Sequence, residues 1–382
     1  MNAPHTTRGG ELFFPAADGP FFPWWPADGG GAPVDLLGAE LSRLAYAALP
    51  TIEAELRRIG FDLLATLESR RLFPARASAD GFVCRDPRAG TTFAVFRGTE
   101  TGNLDDLLAN LLVDPLEWRP GVVVHRGWGL TFDELRGPLG RCLGGADGRL
   151  VATGHSLGGA LATLCAVDFP ATELVTFGAP RVGSGDRLLD PRQPVRRYVH
   201  CCDLVPRVPP ARFDDADLVD LADGLLDNLA PPEGWIAVAS RTALQQSARL
   251  AAGTLARVAR SRGWEHAFAH PSAPLYLDRR GAIHADPGPE QVAEDQSQAR
   301  REYREALGGS TPGNQGAILE AIGSLTAALV RGDAAAARGA REQLFAELAR
   351  SDSLGRVVFR DLADHAAIHY VRALFAAPRG TD

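Results

Sequence analysis

The feature that most restricts this chain is the run Val151-Ala152-Thr153-Gly154-His155-Ser156-Leu157-Gly158-Gly159-Ala160-Leu161-Ala162. A strand-like apolar stretch there meets a helix of small residues, with Gly-x-Ser-x-Gly at the joint. A serine hydroxyl that must stand clear of a sheet needs a sharp, strained turn from strand to helix. Only residues without side-chain bulk, two before and two after it, let strand and helix approach so closely. Gly154 and Gly158 fill those places. The turn also sets Ser156 at a helix N-terminus, where backbone N–H groups without helical acceptors can face an oxyanion. Ser156 is therefore the candidate nucleophile.

Short apolar runs alternate with helix-sized segments around this motif. The runs are Phe93 to Phe96, Val122 to Val124, Leu150 to Ala152, Leu174 to Phe177 and Arg197 to Cys201, with helical patterns beginning near Leu130 and Leu157. Such alternation predicts βαβ units around a mostly parallel sheet. With 382 residues, 45% of them apolar, the chain can bury a core of that size. Residues 36–72 read as helical, with Leu37, Leu41, Leu44 and Ala48 on one stripe.

Other segments stand apart from the catalytic-looking stretch at about 81–210. Residues 1–33 form a Pro- and Gly-rich arm carrying Phe13, Phe14, Phe21, Phe22, Trp24 and Trp25, and its prolines forbid a regular helix. Its aromatics are expected to dock on the body, the alternative being a tip that touches lipid. Residues 34–382 are expected to be one domain interrupted by a helical insert at about 214–262. In that insert an acidic half, from Asp214 to Glu233, is followed by a half whose only charged side chains over 240–262 are five arginines. It reads as a hairpin of opposite charges or as a lid. A second helical pair is expected over 316–350, with Asp333 capping its second helix.

Composition excludes more than it assigns. The net charge of −7 argues against nucleic acid as a partner, and every basic side chain is Arg, with no Lys. Five cysteines, at 84, 142, 165, 201 and 202, fit neither a disulfide framework nor a CxxC zinc site and read as reduced thiols. No basic stretch followed by an apolar run opens the sequence, so a cytoplasmic location is expected, with non-classical export left open.

The stretch GHSLGGALATL resembles the nucleophile elbow of the class 3 lipases, the fungal triacylglycerol lipases and their relatives. Other segments resemble that family's motifs in the same order: Phe96-Arg97-Gly98-Thr99-Glu100, Val124-His125-Arg126-Gly127-Trp128, Thr176-Phe177-Gly178-Ala179-Pro180-Arg181-Val182-Gly183, Asp203-Leu204-Val205-Pro206-Arg207 and Pro274-Leu275-Tyr276-Leu277-Asp278. The resemblance implies an α/β-hydrolase fold, with a mostly parallel central sheet flanked by helices. It also implies oxyanion donors at Thr99 and at the backbone N–H of Leu157, and a structural role for His125.

Asp203 follows the apolar run ending at Cys202, which puts a carboxylate on the sheet edge that carries the elbow, where it can orient a histidine. Asp186 and Asp190 lack that placement. The base should follow the acid in the chain, which leaves His266, His270, His284, His365 and His369. His266 and His270 precede the strand at Pro274, and His284 falls in an expected turn. Asp364-His365-Ala366-Ala367-Ile368-His369-Tyr370 resembles the family's terminal D-H-x-x-x-x-Y except for the second histidine. His365 is assigned as base, with His369 as its rival one helical turn away. The whole implies hydrolysis of carboxylic esters, of acyl lipids in particular, through an acyl-enzyme, with peripheral contact to a lipid surface and neither cofactor nor metal. A thioesterase or short-chain esterase on the same machinery, or a non-catalytic binding protein, are the alternatives.

Overall fold

In the computed structural model the described residues are 20–25, 32–69, 80–98, 115–145, 148–170, 172–183, 188–209, 211, 268–306 and 364–377, with isolated positions elsewhere. They contain ten strands: β1 (Asp62–Leu67), β2 (Gly81–Asp86), β3 (Thr91–Phe96), β4 (Pro115–Arg119), β5 (Val122–His125), β6 (Arg149–His155), β7 (Thr172–Phe177), β8 (Val195–His200), β9 (Leu275–Leu277) and β10 (Ile283–Ala285). The helices are α1 (Val34–Leu44), α2 (Leu49–Ile59), α3 (Arg126–Leu143), α4 (Leu157–Asp168), α5 (Pro289–Ala306) and α6 (Ala367–Ala376).

Eight strands form one sheet in the order β1-β2-β3-β6-β7-β8-β9-β10, while β4 and β5 make a separate ribbon. From β3 to β9 every neighbour is parallel, and β1, β2 and β10 add antiparallel margins. This is the α/β-hydrolase arrangement. Period-two alternation divides the strands between two cores. Phe93, Val95 and Val151 face α1 and α6, whereas Ala94, Phe96 and Ala152 face α3 and α4. A strand covered on both sides is buried on both faces, and all six residues of β3 are buried, four of them apolar. For the same reason α4 is apolar all round, with Leu157 through Ala166 buried.

Several expectations need correction. Residues 36–69 hold two helices and then strand β1, residues 70–72 lying outside the described residues, and Ala48 is an exposed cap rather than part of the stripe. Val122 to Val124 pair with β4 and not with the main sheet, across a turn at Gly121 with φ +75°. Helix α3 begins at Arg126, ahead of Leu130, because Gly127 and Gly129 disguise its first turn. His284 lies on β10, not in a turn.

Of the arm, residues 20–25 are described. Phe21 and Phe22 are buried against α1, and the Phe22 N–H donates to Glu40 Oε1 at 2.8 Å. Outside the described residues lie the rest of the arm apart from Ala32 and Pro33, and the insert at 214–262 apart from isolated positions. Asp333 Oδ1 accepts the Ala336 N–H at 3.0 Å, a helix-capping bond.

Asp80, where the chain enters β2, is 1% exposed and accepts the Ser69 N–H. Burial pushes its carboxyl up to about 6 against that hydrogen bond, with Glu68 and Glu134 adding to the rise. The folded protein thus holds this proton more tightly than an unfolded aspartate, of pKa about 3.9, does. Stability is lost as pH climbs from about 4 through about 6 and stays at the lower level above. Asp80→Asn should raise stability at pH 8 and flatten its change between pH 4 and 6, measured by urea denaturation. An unchanged slope would contradict the assignment.

Candidate active site

Parallel register aligns the C-terminal ends of the central strands: Phe96 opposite Gly154, His155 opposite Phe177, and Phe177 opposite Tyr198. The segments leaving β3, β6, β7 and β8 therefore emerge on one edge, where open parallel sheets place their sites. Ser156 leaves β6 with φ 57° and ψ −132°, a strained conformation for a residue bearing a Cβ. The close approach needs its two glycines: a Cβ on Gly154 would collide with the backbone of Gly158, and one on Gly158 with the Phe96 carbonyl. Leu157 opens α4, so its amide belongs to the first helical turn, which has no acceptors within the helix. Gly98 lies against Ser156, since a Cβ there would stand 3.1 Å from the serine Cβ. Thr99, next in the chain, lies outside the described residues.

Asp203 follows β8 and is 1% exposed. Its Oδ1 accepts the Val205 N–H at 3.0 Å, and its Oδ2 accepts the Tyr370 hydroxyl at 2.6 Å. The Nδ1–H of His365 donates to the same carboxylate, 2.9 Å from Oδ1 and 3.0 Å from Oδ2. With Nδ1 as the donor, Nε2 carries the lone pair of a neutral imidazole. The His365 Nε2 and the Ser156 Oγ are both buried atoms without a hydrogen-bond partner. Ser156 is 2% exposed, so its hydroxyl is buried rather than open to solvent as an exposed turn would have it. Gly178, at φ +57°, gives these groups room: a Cβ there would lie 3.0 Å from His365 Nδ1.

The other candidates lie apart from this carboxylate. Helix α6 begins at Ala367, so His365 sits in the turn before it and His369 in its first turn. His369 turns away and stacks on His200, with ring centroids 5.5 Å apart and planes at 16°. His270 Nε2–H donates to the Pro206 carbonyl at 2.7 Å, and His284 pairs with Asp278 at 2.9 Å. His125 stacks on Trp128 at 4.2 Å. Asp190 pairs with Arg192, at 3.0 Å in its closest charged contact, while Asp186 and His266 lie outside the described residues.

Three further groups meet the site without having been assigned a role from sequence. His155, in the middle of the elbow motif, donates through Nε2–H to the His365 carbonyl at 2.5 Å, and its ring packs 4.6 Å from that of His365. Its Nδ1 accepts the Tyr46 hydroxyl at 2.9 Å. Burial, reinforced by the nearby imidazole of His365, holds His155 well below the ordinary histidine range, so it stays neutral. Burial raises the Tyr370 hydroxyl, and the Asp203 carboxylate raises it further, so it remains a donor. The terminal motif contained Tyr370, but its bond to a carboxylate 167 residues earlier leaves no local signal.

Part of the chain is similar in sequence to known proteins. Residues 93–213 match the class 3 lipase family. The chain is 33% identical over 202 residues to phospholipase A1 PLIP2, chloroplastic, of Arabidopsis thaliana, covering 46% of this chain and 26% of that protein. It is 32% identical over 153 residues to a lipase of Rhizomucor miehei, covering 35% and 42% respectively. The matched part thus spans less than half the length of either relative. A crystal structure of lipase from Rhizopus microsporus var. chinensis superposes with a TM-score of 0.39 at 23% identity, over 46% of this chain and 69% of that one.

Proposed function

We propose that this chain, a relative of the class 3 lipases over residues 93–213, is a carboxylic ester hydrolase acting on acyl lipids. Ser156 is its nucleophile, His365 its base and Asp203 its acid. The observation that carries this is the pair of buried, unpartnered atoms Ser156 Oγ and His365 Nε2, the latter on an imidazole whose other nitrogen is held by Asp203. Buried polar atoms without partners cost stability. A nucleophile and base awaiting a substrate account for both. The Ser156 hydroxyl attacks the ester carbonyl while His365 Nε2 takes its proton, and Asp203 stabilises the imidazolium that forms. The Leu157 amide at the head of α4 stabilises the oxygen on which charge develops, and Thr99 is assigned as second donor from its sequence position alone. His365 returns the proton to the departing alcohol, and a water activated in the same way releases the acyl group.

The names of the relatives, a lipase and a phospholipase A1, support the choice of acyl lipids. A fluorophosphonate probe should phosphonylate the folded protein on one serine, identified by peptide mass as Ser156. Folded protein that takes no label favours a binding protein instead. Hydrolysis of p-nitrophenyl esters of rising acyl length then separates a lipase from a short-chain esterase, and acyl-thioester hydrolysis tests the thioesterase. A rate that stays flat across the solubility limit of a short ester argues against activation at a lipid surface.

A further inference from the structure

Directly before Asp203 stand two adjacent cysteines, and directly before His365 stands an aspartate. The three residues form a second buried cluster behind the first. Cys201 and Cys202 are 0% and 1% exposed, and their sulfurs lie 3.7 Å apart. Adjacent side chains on an extended strand point to opposite faces. Here φ of Cys201 is +26°, and both thiols share one side. Two Sγ atoms and a carboxylate oxygen of Asp364 all lie within 4.8 Å of one another. Sulfurs bonded at about 2.3 Å to one tetrahedral zinc stand about 3.8 Å apart, which is the spacing found. The Cys202 N–H donates to Asp364 Oδ2 at 3.0 Å, so backbone and carboxylate are already joined.

A second observation comes from the imidazoles beside this group. His200 Nδ1 lies 3.3 Å from Asp364 Oδ1, and His369, stacked on His200, is 3% exposed with neither ring nitrogen hydrogen-bonded. One of those nitrogens is a lone-pair donor without a proton or a metal to meet, an arrangement a buried site does not keep without reason. The charge count also allows an ion. Arg279 and Arg360 stand against Asp295, Glu302 and Asp364 around the two thiols, a net of −1. A divalent cation that displaces both thiol protons leaves this sum unchanged, so its binding adds no net charge to the buried cluster.

We propose that Cys201, Cys202 and Asp364, whose ligand atoms already lie within 4.8 Å of one another, form a binding site for a soft divalent cation of the zinc class, and that an imidazole of the neighbouring His200–His369 pair, outside that group as it stands, shifts to become the fourth donor. The four-coordinate set of two thiolates, a carboxylate and an imidazole suits that ion. Bound there, it ties the turn that carries Asp203 to the turn that carries His365, a structural clamp with no part in the ester chemistry. Only this last consequence depends on the hydrolase assignment.

Reduced, metal-free full-length protein titrated with Cd²⁺ should develop a thiolate-to-cadmium charge-transfer band saturating at one equivalent, with two protons released per ion. Zn²⁺ should compete for the same site against a chromogenic chelator. Cys201→Ser and Cys202→Ser should each lose the tight equivalent, and Cys142→Ser should keep it. Reduced wild-type protein that takes up neither ion at micromolar concentration overturns the site, and so does uptake that survives both substitutions at 201 and 202. No ester is present in the titration, so its failure leaves the hydrolase assignment standing, and absent hydrolysis leaves the titration interpretable.

Discussion

Ser156→Ala should abolish ester hydrolysis, lowering kcat/KM by on the order of 10⁴-fold or more, while the protein unfolds at nearly the same temperature. The two halves follow from the same geometry. The substitution removes one oxygen atom that has no hydrogen-bond partner in the folded protein, so no contact is broken and no partner is orphaned. The strain at φ 57° remains, because alanine also carries a Cβ. Chemistry loses everything, since no other side chain at the elbow offers a nucleophile. Residual activity above a tenth of wild type, measured on a p-nitrophenyl ester by protein freed of contaminating esterase, would remove Ser156 from its role.

The second large effect separates two histidines four residues apart. His365→Ala should cost on the order of 10⁴-fold, because in the proposed mechanism the imidazole held by Asp203 at 2.9 Å takes the serine proton. His369→Ala should keep activity within about tenfold, since its ring lies against His200 and away from that carboxylate. The comparison is internal, both residues being 3% exposed, so a general penalty for emptying a buried ring position falls on both variants. An active His365→Ala beside a dead His369→Ala would reverse the assignment.

What could be read in advance was whatever a short stretch of chain decides. Strands β3, β6 and β7 are legible because parallel strands buried on both faces carry long apolar runs. The elbow is legible because its glycines sit at fixed offsets from Ser156. β1 escaped because Asp62–Leu67 sits at the margin of the sheet with a mixed burial pattern, and its leucines continue the spacing of the helices before it. β5 was found as a strand but assigned to the main sheet, since an apolar run carries no mark of its partner. The supports of the site are harder still. Tyr46 reaches His155 across 109 residues, and no periodicity records such a pairing.

The order of the sheet bears on how the protein is made. β3, β6, β7 and β8 lie side by side in the order in which a ribosome emits them, so each new strand finds its predecessor waiting. His365 comes 162 residues after Asp203. At about 5–20 residues per second, translation takes on the order of 10–30 s to cover that interval. The nascent chain therefore displays its serine and its carboxylate well before it owns a base. Helix α6, which follows His365, then docks on α1 from the first part of the fold. On the proposed assignment, competence toward esters is thus acquired in a single late event, when these two distant segments meet.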